Sequence, residues 1–433
     1  MNDDEALIRS ACSFDPRPAV AALSDRRVPI SRHDLAARCV AGDAGPVEET
    51  LAASPGAARA RVGPFGWEPI LYATFSRVPR ADPSRAEGVR EVVRLLLDAG
   101  ADPNASFDHD GWLQVPLYGA AGILNDAALT GMLIDAGADP NDHGERNVGE
   151  ALYHACEFPD PTCAALLIDA GTAPTAVTHC LGRALNFPYA EEAEMFCAHG
   201  ARARADDLLQ AAWRRRPAST VAALLEAGAR VDGRVRHEAD GPSALQIATR
   251  WGEAEIADLL TQRGADQTAV TAADEELGAF VSGATDTVPA AAGIDLDELL
   301  LMAVQGGHTR TVERLLDAGA NVDGKPGGEE VPIGHAAWRG YPALVALLHE
   351  RGARLQFDDD GSAIGAALHG SRHCQHPEGG PTMQTVGEIQ QAPYADILRT
   401  LLDAGASVPS LLRWEDAPPA AVLIDEVLRA GGT

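Results

Sequence analysis

Apolar residues recur along the chain in short runs, spaced three and four positions apart, and most runs close on a glycine. The shared string is Leu-Leu-x-x-Gly-Ala-x-x. It is seen as LLLDAGADPN ending at Asn104, LIDAGADPN ending at Asn141, LLIDAGTAP ending at Pro174 and LLDAGANVDG from Leu315. The closing glycines are Gly100, Gly137, Gly171, Gly200, Gly228, Gly264, Gly319, Gly352 and Gly405, with gaps of 37, 34, 29, 28, 36, 55, 33 and 53 residues. Four gaps lie near a period of about 33, two are shortened, and two carry insertions of about 20 residues. Within one string, Val312, Leu315 and Leu316 make a single buried helical face. The glycine supplies the left-handed residue that ends a helix, and Asp-Pro or Val-Asp-Gly after it gives turn chemistry. A second, Ala-rich helix precedes many strings, as at 68–73, 115–121, 243–248 and 331–337.

This two-helix unit resembles the ankyrin repeat, whose pattern runs T-P-L-H-x-A-A, then G-H, then V-x-x-L-L, then G-A-D-x-N. Gly307-His308, Val312, Leu315-Leu316 and Gly319-Ala320-Asn321 follow it, whereas the initial Thr and His are mostly replaced, so the repeats are divergent. The resemblance covers 63–407 and implies an all-α solenoid of roughly ten to eleven helix-turn-helix repeats, curved around a concave groove. The expected organisation is 1–62 as degenerate N-terminal helix pairs (4–23 and 34–53), 63–267 as repeats, and 268–298 as an insertion with an extra helix at 272–281. Repeats then resume over 299–407, with a long loop at 372–391, before a C-terminal cap at 408–433; within the 63–267 block, 77–87 is expected to lengthen the link between two helices of one repeat.

Composition narrows the function classes. Lys and Arg total 35 against 63 Asp and Glu, a net charge of −28. Phosphate backbones and anionic membranes are bound by excess cations, so nucleic acid and membrane are excluded as expected partners. Lys325 is the only lysine, and arginine with abundant Ala and Gly suggests a bacterial, GC-rich source. The seven cysteines are scattered without a CxxC, and the acidic N-terminus has no signal-peptide pattern. The expectation is a reduced, cytoplasmic, monomeric protein with no cofactor.

Four features are candidates for chemistry. In the ankyrin pattern the two residues before each Gly-His end the first helix and face the groove. Here they are Glu157-Phe158, Asn186-Phe187, Arg214-Arg215, Arg250-Trp251, Gln305-Gly306 and Trp338-Arg339. Arg and Trp are enriched at binding hot spots, and arginine suits carboxylate or phosphate ligands through bidentate contacts. The expected partner-binding residues are therefore Phe158, Phe187, Arg214, Arg215, Arg250, Trp251, Trp338 and Arg339, against the bland reading that the tryptophans only cover core. A second feature is His369-x-x-x-His373-Cys374-x-His376. His369, His373 and His376 offer acid–base groups, and His373, Cys374 and His376 a weak zinc set, although no second ligand group stands at a recognised spacing. Third, Gly319 to Pro326 nearly spells a phosphate loop, but Pro326 lacks the needed hydroxyl and the glycine already ends a helix. Fourth, Phe65, Trp67, Tyr72 and Phe75 form the densest aromatic patch, read chiefly as packing. Two functions stay open: a scaffold binding an acidic and apolar protein or peptide, and an enzyme or small-molecule binder using the groove and the His-rich loop.

Overall fold

A computed structural model describes residues 2–13, 16–25, 31, 34–109, 111–141, 150–187, 190–234, 241–287, 295–325, 330–357, 362–373 and 394–407. These residues are mostly helical, and they fall into two compact units. One lies within Met1–Cys180 and the other within Leu181–Gly379 and Ala392–Trp414.

The nine closing glycines share one geometry. All are left-handed, with φ from 85° at Gly405 to 101° at Gly228. The residue four before each one is Leu96, Leu133, Leu167, Phe196, Leu224, Leu260, Leu315, Leu348 or Leu401, and all nine are 0 % exposed. The residue after each glycine donates its N–H to the carbonyl of that buried residue, at 2.8 Å for Ala101 on Leu96 and 2.9 Å for Ala406 on Leu401. A left-handed residue lets the chain reverse and satisfy a carbonyl that the helix end would otherwise orphan.

In the Met1–Cys180 unit, the helices follow one another in pairs. Asp3–Ala11 with Arg17–Ser24 and Leu35–Ala41 with Ala44–Ala53 occupy the two N-terminal pairs expected from the sequence. Pro69–Phe75, Ala86–Asp98, Ala127–Asp135, Glu150–Ala155 and Thr162–Asp169 continue the series. A feature the pattern did not announce is an antiparallel hairpin, Phe107–His109 with Trp112–Gln114, in which Phe107 faces Gln114. It joins the aromatic patch: the Trp67 and Phe107 rings stack at 4.0 Å, and Phe75 meets Tyr118 at 5.8 Å. Tyr72 is fully buried, and its hydroxyl donates to the Val62 carbonyl at 2.8 Å. An open cleft of about 430 Å³ remains beside Arg61, Phe65, Glu68 and Leu113.

In the Leu181–Gly379 unit the pairs include Ala205–Trp213 with Ala218–Glu226, Ala244–Arg250 with Ala254–Gln262, Leu296–Gln305 with Thr309–Asp317, and Pro332–Arg339 with Pro342–Glu350. The extra helix expected at 272–281 is present as Ala272–Ser282 and packs on Ala244–Arg250. Gly278 makes that approach possible, because a Cβ there would lie 2.0 Å from the Thr249 carbonyl oxygen. The 374–391 part of the expected long loop and the C-terminal cap lie outside the described residues, while 372–373 belong to the helix Ala363–His373 rather than to a loop.

Successive loops are pinned together by one side chain each. Asn104 donates to the Gly137 carbonyl at 3.0 Å and accepts from Asp139 N–H at 2.8 Å. Asn141 repeats both contacts on Gly171 and Ala173, at 3.0 and 2.7 Å. In the second unit Asp232 and Asp323 take over as acceptors, from Asp266 N–H at 2.8 Å and Arg354 N–H at 2.9 Å. All four pinning residues stand four after a closing glycine. Replacing Asn141 with Ala removes two such bonds at an exposed site and should cost about 1 kcal/mol, read as a lower urea midpoint.

A second polar feature sits inside the Met1–Cys180 unit. His154 Nδ1 lies 3.2 Å from Glu157 Oε1, and Nε2 lies 3.4 Å from Glu150 Oε2, with the Glu157 side chain wholly buried. Burial alone would lower the His154 pKa, but the charges and hydrogen bonds of Glu157 and Glu150 outweigh it and raise it to about 9. Since this exceeds the ordinary 6.5, the stabilisation is complete below pH 6.5 and is lost as pH rises through 9. The urea midpoint of the wild type should therefore fall between pH 6.5 and 9.5, and that slope should vanish in His154→Gln. His154→Ala removes the cation that faces the buried Glu157 carboxylate and should lower the urea midpoint at pH 7.

Candidate functional site

The ends of the first helices in the Leu181–Gly379 unit carry most of the predicted binding residues. Helix Ala244–Arg250 ends on Trp251 and left-handed Gly252, Leu296–Gln305 on Gly306 and left-handed Gly307, and Pro332–Arg339 on left-handed Gly340. Helix Ala205–Trp213 ends on Arg214 and then Arg215, with φ 54°. An L-residue with a Cβ pays about 1 kcal/mol for that conformation. After each left-handed residue, the next N–H closes on the carbonyl five back: Arg216 on Ala211, Glu253 on Ala248, His308 on Ala303 and Tyr341 on Ala336, all at 2.8–2.9 Å. Arg216, Glu253, His308 and Tyr341 are thus structural equivalents.

Residues far apart in sequence meet here. The Arg215 guanidinium pairs with the Glu253 carboxylate, and its Nη1 lies 3.1 Å from His308 Nδ1. The His308 ring lies 5.2 Å from that of Trp251. Burial, then the Arg215 charge, lowers His308 to about 4, so it is neutral at pH 7. Guanidinium can only donate, so Nδ1 accepts and the imidazole proton sits on Nε2, which is buried and has no partner among the described residues.

Beside this lies an arginine cluster. Arg214 donates to Asn186 Oδ1 at 2.8 Å, and Arg216 donates to the Leu185 and Asn186 carbonyls at 3.2 and 3.3 Å. Arg339 lies 5.3 Å from the Trp338 ring, and its buried Nε has no hydrogen-bond partner. Burial first, then the charges of Arg339 and Arg216, pulls Arg214 down to about 9, while burial chiefly pulls Arg216 to about 10. Burial also lowers Arg339 and raises Tyr341. Among the described residues, none of these three arginines has a carboxylate in salt-bridge range.

The structure sorts the predicted residues. Phe158, Phe187 and Trp251 are only 8, 3 and 3 % exposed, so their rings have little surface to give a partner. Phe158 lies under Arg80 at 5.4 Å and Phe187 under Arg183 at 4.9 Å, which corrects the view of them as open groove aromatics. Arg250 is held by Asp274 at 2.6 Å, a partner supplied by the extra helix. Arg214, Trp338 and Arg339 are half-buried, and Arg215 is exposed. Arg216 and Tyr341 escaped the sequence reading, and Asn186 and His308 entered it only as repeat positions, not as expected partner-binding residues. The loop before Ala218–Glu226 is one residue longer than its counterparts, so a fixed count from Gly228 stops at Arg215. The run Arg214-Arg215-Arg216 was the available signal.

His369 lies on helix Ala363–His373, 6.0 Å from the Trp338 ring. The side chain of His373, with Cys374 and His376, lies outside the described residues. Among the described residues no group of three or more His, Cys, Asp or Glu is placed to hold a metal ion, and no helix is long and apolar enough to cross a membrane.

No curated protein matches the chain. Residues 300–349, which cover most of the helix pairs ending at Asp317 and Glu350, match the family model described as ankyrin repeats (many copies), and this match supports an ankyrin-repeat protein.

Proposed function

We propose that the chain is a non-enzymatic scaffold of the ankyrin type that holds a protein or peptide partner bearing acidic and apolar side chains. The face used is the set of first-helix ends in the Leu181–Gly379 unit. Arg214, Arg215, Trp338 and Arg339 touch the partner, while Phe187, Arg250 and Trp251 hold that surface from behind. Phe158 has the same supporting role in the other unit.

The observation that carries this reading is Arg215. It occupies a left-handed position that Gly252, Gly307 and Gly340 fill in three other pairs of the unit, yet its side chain is exposed. Backbone strain kept beneath an exposed cationic side chain points to use of that side chain. Arginine beside a half-buried tryptophan is the composition of an energetically dominant contact. The six described cysteines are free, which fits a reducing compartment such as the cytoplasm.

Affinity capture from the native host tests the reading. The wild type should retain a partner that Arg215→Glu/Arg339→Glu loses at least tenfold, while Arg230→Glu, at an exposed site in the same unit, retains it. Because charge carries the contact, recovery should also fall at 0.5 M NaCl. Equal recovery by the double variant would sink the assignment.

A further inference from the structure

The Met1–Cys180 unit holds a cleft that the scaffold reading leaves unused. Two short reversals build it. One is the turn in which Val62 N–H donates to the Trp67 carbonyl at 3.0 Å, and the other is the hairpin that pairs Asp108 with Leu113. Between them lies the open space of about 430 Å³, a size found in small-ligand clefts, whose walls are characteristically aromatic with a few placed polar groups. Phe65, Trp67 and Phe107 form a continuous run of rings on its wall, with centroids 4.6 and 4.0 Å apart. All three are half-buried rather than sealed in the core.

Glu68 is the unanswered group on that wall. It stands at the start of helix Pro69–Phe75, but its carboxylate caps no backbone N–H there. Its Oε2 is buried and has no hydrogen-bond partner among the described residues. Burial, then the Asp102 charge, holds the Glu68 carboxyl above the ordinary range, against the Arg59 and Arg61 guanidiniums, which pull it down. Arg59 is engaged elsewhere, donating to the Gly100 carbonyl at 2.6 Å, and Arg61 is exposed. A carboxylate oxygen withdrawn from water without a donor costs free energy, and a guest that brings both a donor and a positive charge removes that cost.

We propose that this cleft binds a guanidinium group. A guanidinium is planar, so it stacks on ring faces and forks onto a carboxylate with the same atoms, and it sheds water more readily than an ammonium. The cleft offers both surfaces at once. The chain already uses this chemistry beside the cleft, where the Arg9 guanidinium lies over the Phe65 ring at 5.2 Å. Glu68 and Asp108 against Arg61 leave the lining with one net negative charge, which a monocation neutralises. The carrier is either an arginine side chain of a peptide or a small guanidino compound. The site uses residues of this unit alone and does not rest on the scaffold reading.

Calorimetric titration of the full chain at constant ionic strength tests the site. The probes are propylguanidinium, propylurea as a neutral compound of the same shape, and propylammonium as a cation without the planar fork. Propylguanidinium should saturate with a Kd at or below about 1 mM, and the other two should bind at least tenfold more weakly. Glu68→Gln keeps the side chain's size and should weaken propylguanidinium at least tenfold while leaving propylurea unchanged. It should not lower Tm, because Oε2 has no hydrogen bond to lose; a purely structural Glu68 would show the opposite pair of effects. Arg61→Gln, at an exposed site, should tighten propylguanidinium because a like charge leaves the cleft, and it keeps the test open if Glu68→Gln fails to fold. A tripeptide with blocked ends and arginine at its centre, bound at least tenfold tighter than propylguanidinium, identifies a peptide as the carrier, and equal or weaker binding identifies a small compound. No saturable binding of propylguanidinium, or binding matched by propylurea or propylammonium, overturns the site. So does a Glu68→Gln affinity equal to the wild type's, or weaker binding by Arg61→Gln. Partner capture sensitive to Arg215→Glu/Arg339→Glu would still leave the scaffold standing.

Discussion

Each repeat depends on one local constraint: a left-handed glycine placed four residues after a fully buried apolar side chain. The buried residue anchors the second helix in the core, and its carbonyl is closed by the N–H just beyond the glycine. The helix therefore ends at a fixed distance from its own anchor, whatever the helix length. That in turn sets where the following loop begins. The Asn or Asp four residues beyond the glycine then meets the next loop at the backbone N–H two past its own glycine. Helix end and loop register are thus coupled, and the four pins all bridge closing glycines 33–37 residues apart.

This is why the array was legible from sequence and its surface was not. The glycine, the anchor and the pin lie within nine residues of one another, so a reader of the string sees the whole device. The helix at 272–282 was legible for the same reason, as a short apolar period between turn residues. Partner choice among arginines is different. Arg215 meets Glu253 and His308, 38 and 93 positions away, and Arg250 meets Asp274 in an inserted helix. Nothing local to Arg250 distinguishes it from Arg214, yet one is neutralised and the other is not. The aromatics were misplaced by the same route. A Phe at a first-helix end can point outward or fold beneath the arginine of a neighbouring turn, and Phe187 lies under Arg183. The hairpin at 107–114 was missed because strands of three residues carry too little alternation to register.

The two units show opposite treatments of a buried cationic group. In the Met1–Cys180 unit, His154 is enclosed by Glu150 and Glu157, and the pair of acids makes its protonated form the stable one. In the Leu181–Gly379 unit, His308 is enclosed with Arg215 and is driven neutral. The residue type and degree of burial are similar, so the difference lies in which charges the fold brings alongside. The acids answer the cation in the first case. In the second, cations gather and the titratable neighbour gives up its proton.

That gathering has an energetic consequence for the whole unit. An ionised group withdrawn from water without a counter-charge costs several kcal/mol, comparable to the entire margin by which a domain stays folded. Arg214 and Arg216 offset part of that cost through the Asn186 side chain and the Leu185 and Asn186 carbonyls. The leucine anchors and loop pins of the same unit must offset that cost before any ligand arrives. A surface whose only role was to be soluble would lower its free energy by exchanging Arg339 for a neutral side chain.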